Sequence, residues 1–300
     1  MRKILTFAIM GLMSAAIFSS VAKAQTPPSQ NAAAEPHNPW KYYPRDVQAG
    51  VSGGPAPKRD LSGTWAGPGS SAAVPRGGAA EKPELTPFGQ EMMAKNKPIG
   101  KFGPGGSNDP HVRYCDPYRF PQNMYNENRA MTIANGPDRI FVLLQYMDMW
   151  REIWTDGRAL PTKVGGYDKD SLDPIYNGYS TGHWEDDYNF VVETTGMTDA
   201  TWVTSQGLPH SLGAKVTERY TRVDKNSMKV SITIEDPKVY VKPFSLGTYN
   251  FRWLPTQKMD EWLCPASELF RYLKEQADPA GSTENMTPQS LGNGRRGEGQ

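Results

Sequence analysis

The chain has 300 residues, with 33 basic and 32 acidic side chains, 26 prolines and 29 glycines. This near balance of charge gives no electrostatic basis for a nucleic-acid partner or for binding an anionic membrane. The proline and glycine content is typical of a globular protein with long irregular loops, and we expect a single folded domain at 59–279. The composition does not determine the oligomeric state.

The first 24 residues have the pattern of a secretory leader. A basic start precedes an apolar run at 4–17, and Ala22, Lys23 and Ala24 form the small-x-small sequence that signal peptidases cleave. The apolar run is shorter than the roughly 20 residues that a membrane-spanning helix needs. We therefore predict a leader at 1–24, a periplasmic or secreted location, and no membrane insertion of the mature protein. Without the leader the net charge is −2.

The two ends of the remaining chain are predicted to be disordered, because 25–58 is rich in proline, alanine, asparagine and glycine and 280–300 is polar and rich in glycine. The folded part begins with a strand at 60–65. A short helix at 88–95 follows, with Thr86 as its cap and Pro87 in its first turn.

The dense middle of the chain has the pattern of strands and hairpins. Residues 140–146 are apolar at both alternating positions, which is typical of a strand covered on both faces. The next strand, 150–154, runs into the turn pair Asp156 and Gly157 and predicts a hairpin there.

Two clearer hairpins follow, and the last strand of the second alternates apolar and polar residues, which predicts one core face and one solvent face. The predicted elements are the hairpins 179–184 with 188–195 and 215–223 with 227–236, strands at 239–241 and 249–253, and a helix at 265–276.

Consecutive hairpins without alternating helices predict a mainly β fold, an antiparallel meander with a short N-terminal and a C-terminal helix. About eight to ten strands can close into a barrel or fold over as a sandwich, and closure removes exposed edges. A barrel of about eight strands can hold one small ligand.

Cys115 and Cys264 are the only cysteines. In an oxidising compartment they predict a disulfide, with two buried free thiols as the alternative. The spacing of cysteines and histidines matches no structural zinc site, and the chain has no glycine-rich nucleotide loop, so we predict no cofactor.

The strand at 215–223 carries the main candidates for chemistry. Val216, Glu218 and Tyr220 share one face, and if that face points inward the carboxyl group is buried in apolar surroundings. Burial raises the pKa of a carboxyl group and makes it a candidate acid or base. The alternative is that Glu218 forms a buried ion pair with Arg222 or another arginine.

A histidine in the loop before that strand completes the predicted site. His210 can exchange protons near neutral pH if Glu218 or Asp236 orients it, and a surface or capping role is the alternative. The predicted catalytic residues are therefore His210 and Glu218, with Tyr220 or Arg219 supporting developing negative charge. Such a site would perform cofactor-free elimination, isomerisation or hydration.

Other residues admit further hypotheses. A metal site could be assembled from His183, Glu185, Asp187 and His210, although an acidic hairpin tip is typically a solvated turn. Paired carboxylates would suit glycoside hydrolysis, but the sequence does not give their separation. Five tryptophans in or beside the strands are either core residues or the walls of a pocket for a flat apolar ligand, namely Trp150, Trp154, Trp184, Trp202 and Trp253.

The segments Trp-Glu-x-Asp at 184–187 and Thr-Glu-Arg at 217–219 resemble a large family of secreted acidobacterial and proteobacterial proteins, most of which lack an assigned activity. The likeness spans about Cys115 to Cys264, with Asp186 where the family usually has glycine. The resemblance implies a lipocalin-like β-barrel, and the start at 60–65 is similar to the Gly-x-Trp opening of calycins.

These observations together predict an exported β-barrel whose partner is a small apolar or aromatic molecule. The residues leave open whether the protein only binds this molecule or also transforms it. The alternatives are a glycoside-active enzyme that works through two carboxylates and a non-catalytic envelope protein that binds a partner.

Overall fold

The computed structural model describes residues 53–68, 80–125, 130–255 and 258–277. The predicted leader (1–24), most of the predicted segment 25–58 and the predicted tail 280–300 lie outside these residues. Nine strands close into a barrel, so the mainly β prediction is confirmed. The strands are β1 Gly63–Ala66, β2 Met131–Asn135, β3 Arg139–Leu144, β4 Met149–Trp154, β5 Tyr179–Trp184, β6 Asn189–Thr195, β7 Lys215–Asp224, β8 Ser227–Glu235 and β9 Phe244–Trp253.

Each strand pairs with the next one along the chain, and β1 pairs with β9 to close the barrel. Every pair is antiparallel except β4 with β5, which run parallel and are joined by only two residue pairs, Ile153 with Ser180 and Trp154 with Thr181.

The hairpin predicted at Asp156 and Gly157 is therefore wrong. The chain does turn there, with Gly157 at a φ of 84°. It then returns through 158–178 to the other end of the barrel before β5 begins. A turn pair specifies a local reversal of the chain, but it does not specify which edge the next strand joins.

Side chains fill the interior of the barrel. In β8 the inward residues Met228, Val230, Ile232 and Ile234 are all buried, as the alternation in the sequence predicts. The double-sided cover predicted for 140–146 is wrong, because β3 buries Ile140, Val142 and Leu144 while Leu143 on the outer face is 41% exposed. A barrel wall has a single core-facing side, and the apolar residues on its other side here meet solvent.

The segment between β1 and β2 covers the end of the barrel at which β1 ends and β2 begins. It contains helices α1 Pro87–Lys95, α2 Ile99–Gly106 and α3 Pro110–Tyr114. The predicted first helix and its cap are confirmed, since the Thr86 side chain accepts a hydrogen bond from the Gly89 amide. Farther along, Phe120 is fully buried and Tyr125 stacks on Tyr249 with ring centroids 4.6 Å apart.

The strand predicted at 239–241 is wrong, because only Tyr240 pairs there, in an isolated bridge to Leu85 of the covering segment. The predicted C-terminal helix is confirmed as α4 Ala266–Tyr272, which continues as a π-helical turn at Leu273–Ala277.

The disulfide between Cys115 and Cys264 is confirmed, with Cα atoms 5.5 Å apart. It connects the covering segment to the chain just before α4. Within the described part of the chain, no helix combines the length and the apolar character that crossing a bilayer requires.

Candidate functional site

A hollow of about 450 Å³ opens in the barrel wall where β4 and β5 separate. The segment just before β5 does not pair with β4 as a strand. Its Asn177 side chain bridges part of the gap by donating a hydrogen bond to the Trp150 carbonyl at 2.9 Å. We call this hollow the seam cleft. Its walls include Trp150, Arg151, Trp154, Ile175, Tyr176 and Tyr179.

The open face of the seam cleft is apolar. Trp150 is 63% exposed and Ile175 is 42% exposed, which is high for side chains of this size. Across the β3–β4 pair, Trp150 lies opposite the partly exposed Leu143. The seam therefore presents a large aromatic side chain that the described residues leave accessible.

Trp154 is held between two arginines. The Cζ atoms of Arg139 and Arg158 lie 3.4 and 3.3 Å from the centroid of its ring. Two guanidinium groups at this distance cannot share one face of the ring, so they cover opposite faces. Arg139 also forms ion pairs with Asp138 and Glu152, and Arg158 pairs with Asp156. Trp154 is consequently a fixed wall with no open face.

Behind the seam cleft, inside the barrel, lies a buried ion pair. Arg151 Nη1 is 2.7 Å from Glu218 Oε2, and both side chains are almost fully buried. Arg151 Nη2 also donates to Ser180 Oγ at 2.9 Å and to Thr194 Oγ1 at 3.0 Å. The Phe120 ring covers the guanidinium group, with its centroid 4.2 Å from Cζ. The charge of Arg151 is thus neutralised within the barrel.

Tyr220 belongs to the same network and donates a hydrogen bond to Glu218 Oε1 at 2.8 Å. Burial raises the pKa of the Tyr220 hydroxyl well above its ordinary value of 10, and the nearby Glu218 raises it further. The tyrosine therefore remains a neutral donor at physiological pH.

Glu218 thus forms a buried ion pair, as the alternative interpretation of the sequence predicts. Its partner is another arginine, Arg151, rather than Arg222. Arg222 lies farther along β7, with Cζ 4.5 Å from the centroid of the Trp65 ring, and donates to the Lys225 carbonyl.

His210 is buried in a separate set of contacts. Its Nδ1 is 3.1 Å from the Ser211 carbonyl and its Nε2 is 3.2 Å from Thr201 Oγ1. Burial lowers the pKa of His210 below its ordinary value of 6.5. Asp236 accepts hydrogen bonds from the amide and hydroxyl of Ser211 rather than from the imidazole.

The structure brings together two of the four predicted catalytic residues, Glu218 and Tyr220. His210 shares no hydrogen-bond partner with either of them in the described chain. Arg219 lies on the outer face of β7 and pairs with Glu185. The catalytic roles of these residues stay predictions.

Of the five predicted ligand-binding tryptophans, Trp150 and Trp154 line the seam cleft. The other three have different neighbours. Trp184 packs against Phe190 with ring centroids 5.0 Å apart. The ring of the buried Trp202 is in contact with the Arg119 guanidinium group, and the ring of Trp253 is in contact with the Lys225 ammonium group.

The residues considered for a metal site do not come together. His183 is exposed, Glu185 pairs with Arg219, Asp187 pairs with Lys58, and His210 is buried in its own contacts. Among the residues that the structure describes, no group of three or more potential ligands is placed to hold a metal ion.

Sequence reasoning did not identify Arg151 or the cleft residues Tyr176, Asn177 and Tyr179. The sequence does contain a pattern that could have identified Arg151. It alternates in phase with the apolar Met149 and Ile153, which places it on the inward face of β4. Tyr176 and Asn177 precede β5 in an irregular segment, where no periodicity predicts their position.

Comparisons of the chain with models of protein families, with curated proteins and with solved structures find no match. The resemblance to a family of secreted bacterial proteins stays a prediction.

Proposed function

We propose that this barrel binds a small, largely apolar or aromatic molecule in the seam cleft. The observation that carries the proposal is the exposed Trp150 at the wall of a hollow of about 450 Å³. Pockets for small molecules span roughly 300–1,000 Å³ and combine apolar walls with a few polar groups. Here the Asn177 amide and the carboxylates of Asp148 and Glu152 supply the polar groups.

Binding is better supported than acid–base chemistry. Glu218 is engaged by Arg151 and Tyr220, and the nitrogens of His210 are engaged by Ser211 and Thr201. A general base must reach the proton that it removes, and groups with separate buried partners offer no common place for a substrate. The proposed function is therefore a binding function.

The same proposal includes export of the protein. A disulfide persists in oxidising compartments, and the pattern at 1–24 is that of a leader. Expression of the full chain in bacteria, followed by fractionation and N-terminal sequencing, should recover a product that begins at Gln25 outside the cytoplasm. Recovery of the intact N-terminus in the cytoplasm alone would contradict export.

Calorimetric titration with tryptophol, a neutral indole alcohol, tests the binding proposal. Stacking on Trp150 should give saturable binding, and Trp150→Ala should weaken it about tenfold or more, because the main aromatic contact is lost. Tyr167→Ala is the matched control, since Tyr167 is fully exposed and does not line the cleft. Absence of binding, or equal binding by Trp150→Ala, would overturn the proposal.

A further inference from the structure

We infer that the preferred ligand of the seam cleft is an organic cation, an amine or quaternary ammonium group attached to an aromatic or apolar body. This inference rests on the proposed function, because it assigns a ligand class to the same cleft. The observation that supports the inference is the sign of the charged side chains that a molecule bound in the cleft can reach.

Three charged residues line the cleft, namely Asp148, Arg151 and Glu152. Arg151 presents no charge to a ligand, since its side chain is 1% exposed and its guanidinium group is paired with Glu218 behind the wall. The charges that remain accessible are the two carboxylates.

These carboxylates differ in how far they are already neutralised. Asp148 is exposed, and its Oδ1 accepts a hydrogen bond from the Trp262 amide, with no basic side chain in ion-pair distance among the described residues. Glu152 is 37% exposed and shares Arg139 with Asp138. Asp148 is therefore the stronger attraction for a cation.

A second hollow of about 230 Å³ adjoins the seam cleft and shares Asp148, Met149 and Trp150 with it. The other charged residues lining this side hollow are Asp260 and Glu261. Trp150 thus stands between two hollows, and every accessible charged side chain that lines them in the described chain is acidic.

The aromatic wall has the same preference. A cation is attracted to the face of an indole ring, whereas an anion is repelled by it. The faces of Trp154 are already covered by Arg139 and Arg158, so Trp150 is the tryptophan of the cleft with an accessible face. The positive charges of those two arginines are balanced by Asp138, Glu152 and Asp156.

Three ligands that share the indole ring and differ in charge test the inference by calorimetry: tryptamine (cationic), tryptophol (neutral) and indole-3-acetate (anionic). We expect tryptamine to bind about fivefold more tightly than tryptophol, and indole-3-acetate to bind more weakly than both. The advantage of tryptamine should shrink when salt is raised from about 20 to about 500 mM, because exposed charges are screened.

Asp148→Asn removes the proposed attraction and keeps an oxygen that can accept the Trp262 amide. It should abolish most of the advantage of tryptamine and leave tryptophol binding unchanged. Asp170→Asn, at an exposed acid that does not line either hollow, is the control and should change neither affinity.

The outcomes separate the inference from the proposed function. If tryptophol binds in a Trp150-dependent way but tryptamine has no advantage, the cation preference is wrong and the binding site stands. If Asp148→Asn leaves that advantage intact, the assignment of the attraction to the Asp148 carboxylate is wrong and the binding site stands. If tryptophol does not bind, or binds equally well to Trp150→Ala, the proposed function and the inference that rests on it are both overturned.

Discussion

Arg151 of β4 and Glu218 of β7 meet in the interior of the barrel, with Nη1 and Oε2 2.7 Å apart and side chains 1% and 0% exposed. The two strands are separated by β5 and β6 in the barrel, so this pair connects strands that share no backbone hydrogen bonds. Ser180 and Thr194 accept hydrogen bonds from Arg151, and Tyr220 donates one to Glu218. Because Arg151 and Ser180 also line the seam cleft, the pair supports the back of the proposed binding site.

Removing one member of this pair should destabilise the barrel strongly. Glu218→Gln leaves the buried charge of Arg151 without its partner, and Arg151→Met leaves the buried charge of Glu218 without its partner. Each change should lower the free energy of unfolding by about 3–5 kcal/mol. The double variant Arg151→Met with Glu218→Gln should lose less than the sum of the two single changes. Urea denaturation of the four proteins measures this coupling, and additive losses below about 1 kcal/mol each would show that the pair is not formed.

Gly182 of β5 should not tolerate a side chain. A Cβ atom at this position would lie 2.4 Å from Phe190 Cζ and 2.9 Å from Ile153 Cγ2. Gly182→Ala should therefore overpack the interior and lower the free energy of unfolding by about 1–3 kcal/mol. Gly100→Ala is the control, because no atom outside its chain neighbours and the backbone of its own helix lies within 4 Å of the added Cβ. Thermal unfolding distinguishes them, and equal melting temperatures for the two variants would contradict the packing described here.

Stability should fall as the pH drops below about 6.5, because His210 is buried and His111 is partly buried. Burial lowers the pKa of His111 and of His210 below their ordinary value of 6.5. The unfolded chain then takes up protons that the folded protein does not, which costs up to about 1.4 kcal/mol per histidine for each pH unit below 6.5.

Urea denaturation at about pH 7.5 and pH 5.5 measures this dependence. His210→Asn should lose less stability between the two pH values than the unmodified protein. His183→Asn, at an exposed histidine, is the control and should behave like the unmodified protein. An unchanged pH dependence in His210→Asn would contradict the burial of His210.

The disulfide should contribute substantially to stability. Cys115 and Cys264 are 149 residues apart, and the chain-entropy model gives about 5 kcal/mol for closing a loop of this length. Cys115→Ser with Cys264→Ser should lower the melting temperature, and a reducing agent should lower it in the unmodified protein but not in this variant. A melting temperature that neither change affects would contradict the prediction.

The barrel could be predicted because its hairpins are local. β8 alternates apolar and polar residues, and a short turn joins it to β7, so the alternation and the turn together specify this pairing. The parallel pairing of β4 with β5 could not be predicted in this way, because 24 residues separate Trp154 from Tyr179 and no local pattern specifies the edge that β5 joins.

The candidate site was predicted only in part for the same reason. The inward position of Glu218 follows from its parity with Val216 and Tyr220, and the sequence alone indicates Trp150 and Trp154 as possible pocket residues. The pairing of Arg151 with Glu218 could not be predicted, because it depends on how β4 to β7 are arranged around the barrel. The seam cleft depends on the parallel seam, so its position required the structure.

The most direct test of the binding proposal is an NMR titration of ¹⁵N-tryptophan-labelled protein with tryptophol, with the Trp150 and Trp154 indole signals assigned from substitutions at each position. The protein has eight tryptophans, which report from different places in the chain. We predict that the indole signals of Trp150 and Trp154 shift with a common saturation curve while those of the buried Trp65 and Trp202 stay in place. Shifts at Trp65 or Trp202 without any at Trp150, or a spectrum that tryptophol leaves unchanged, would contradict binding in the seam cleft.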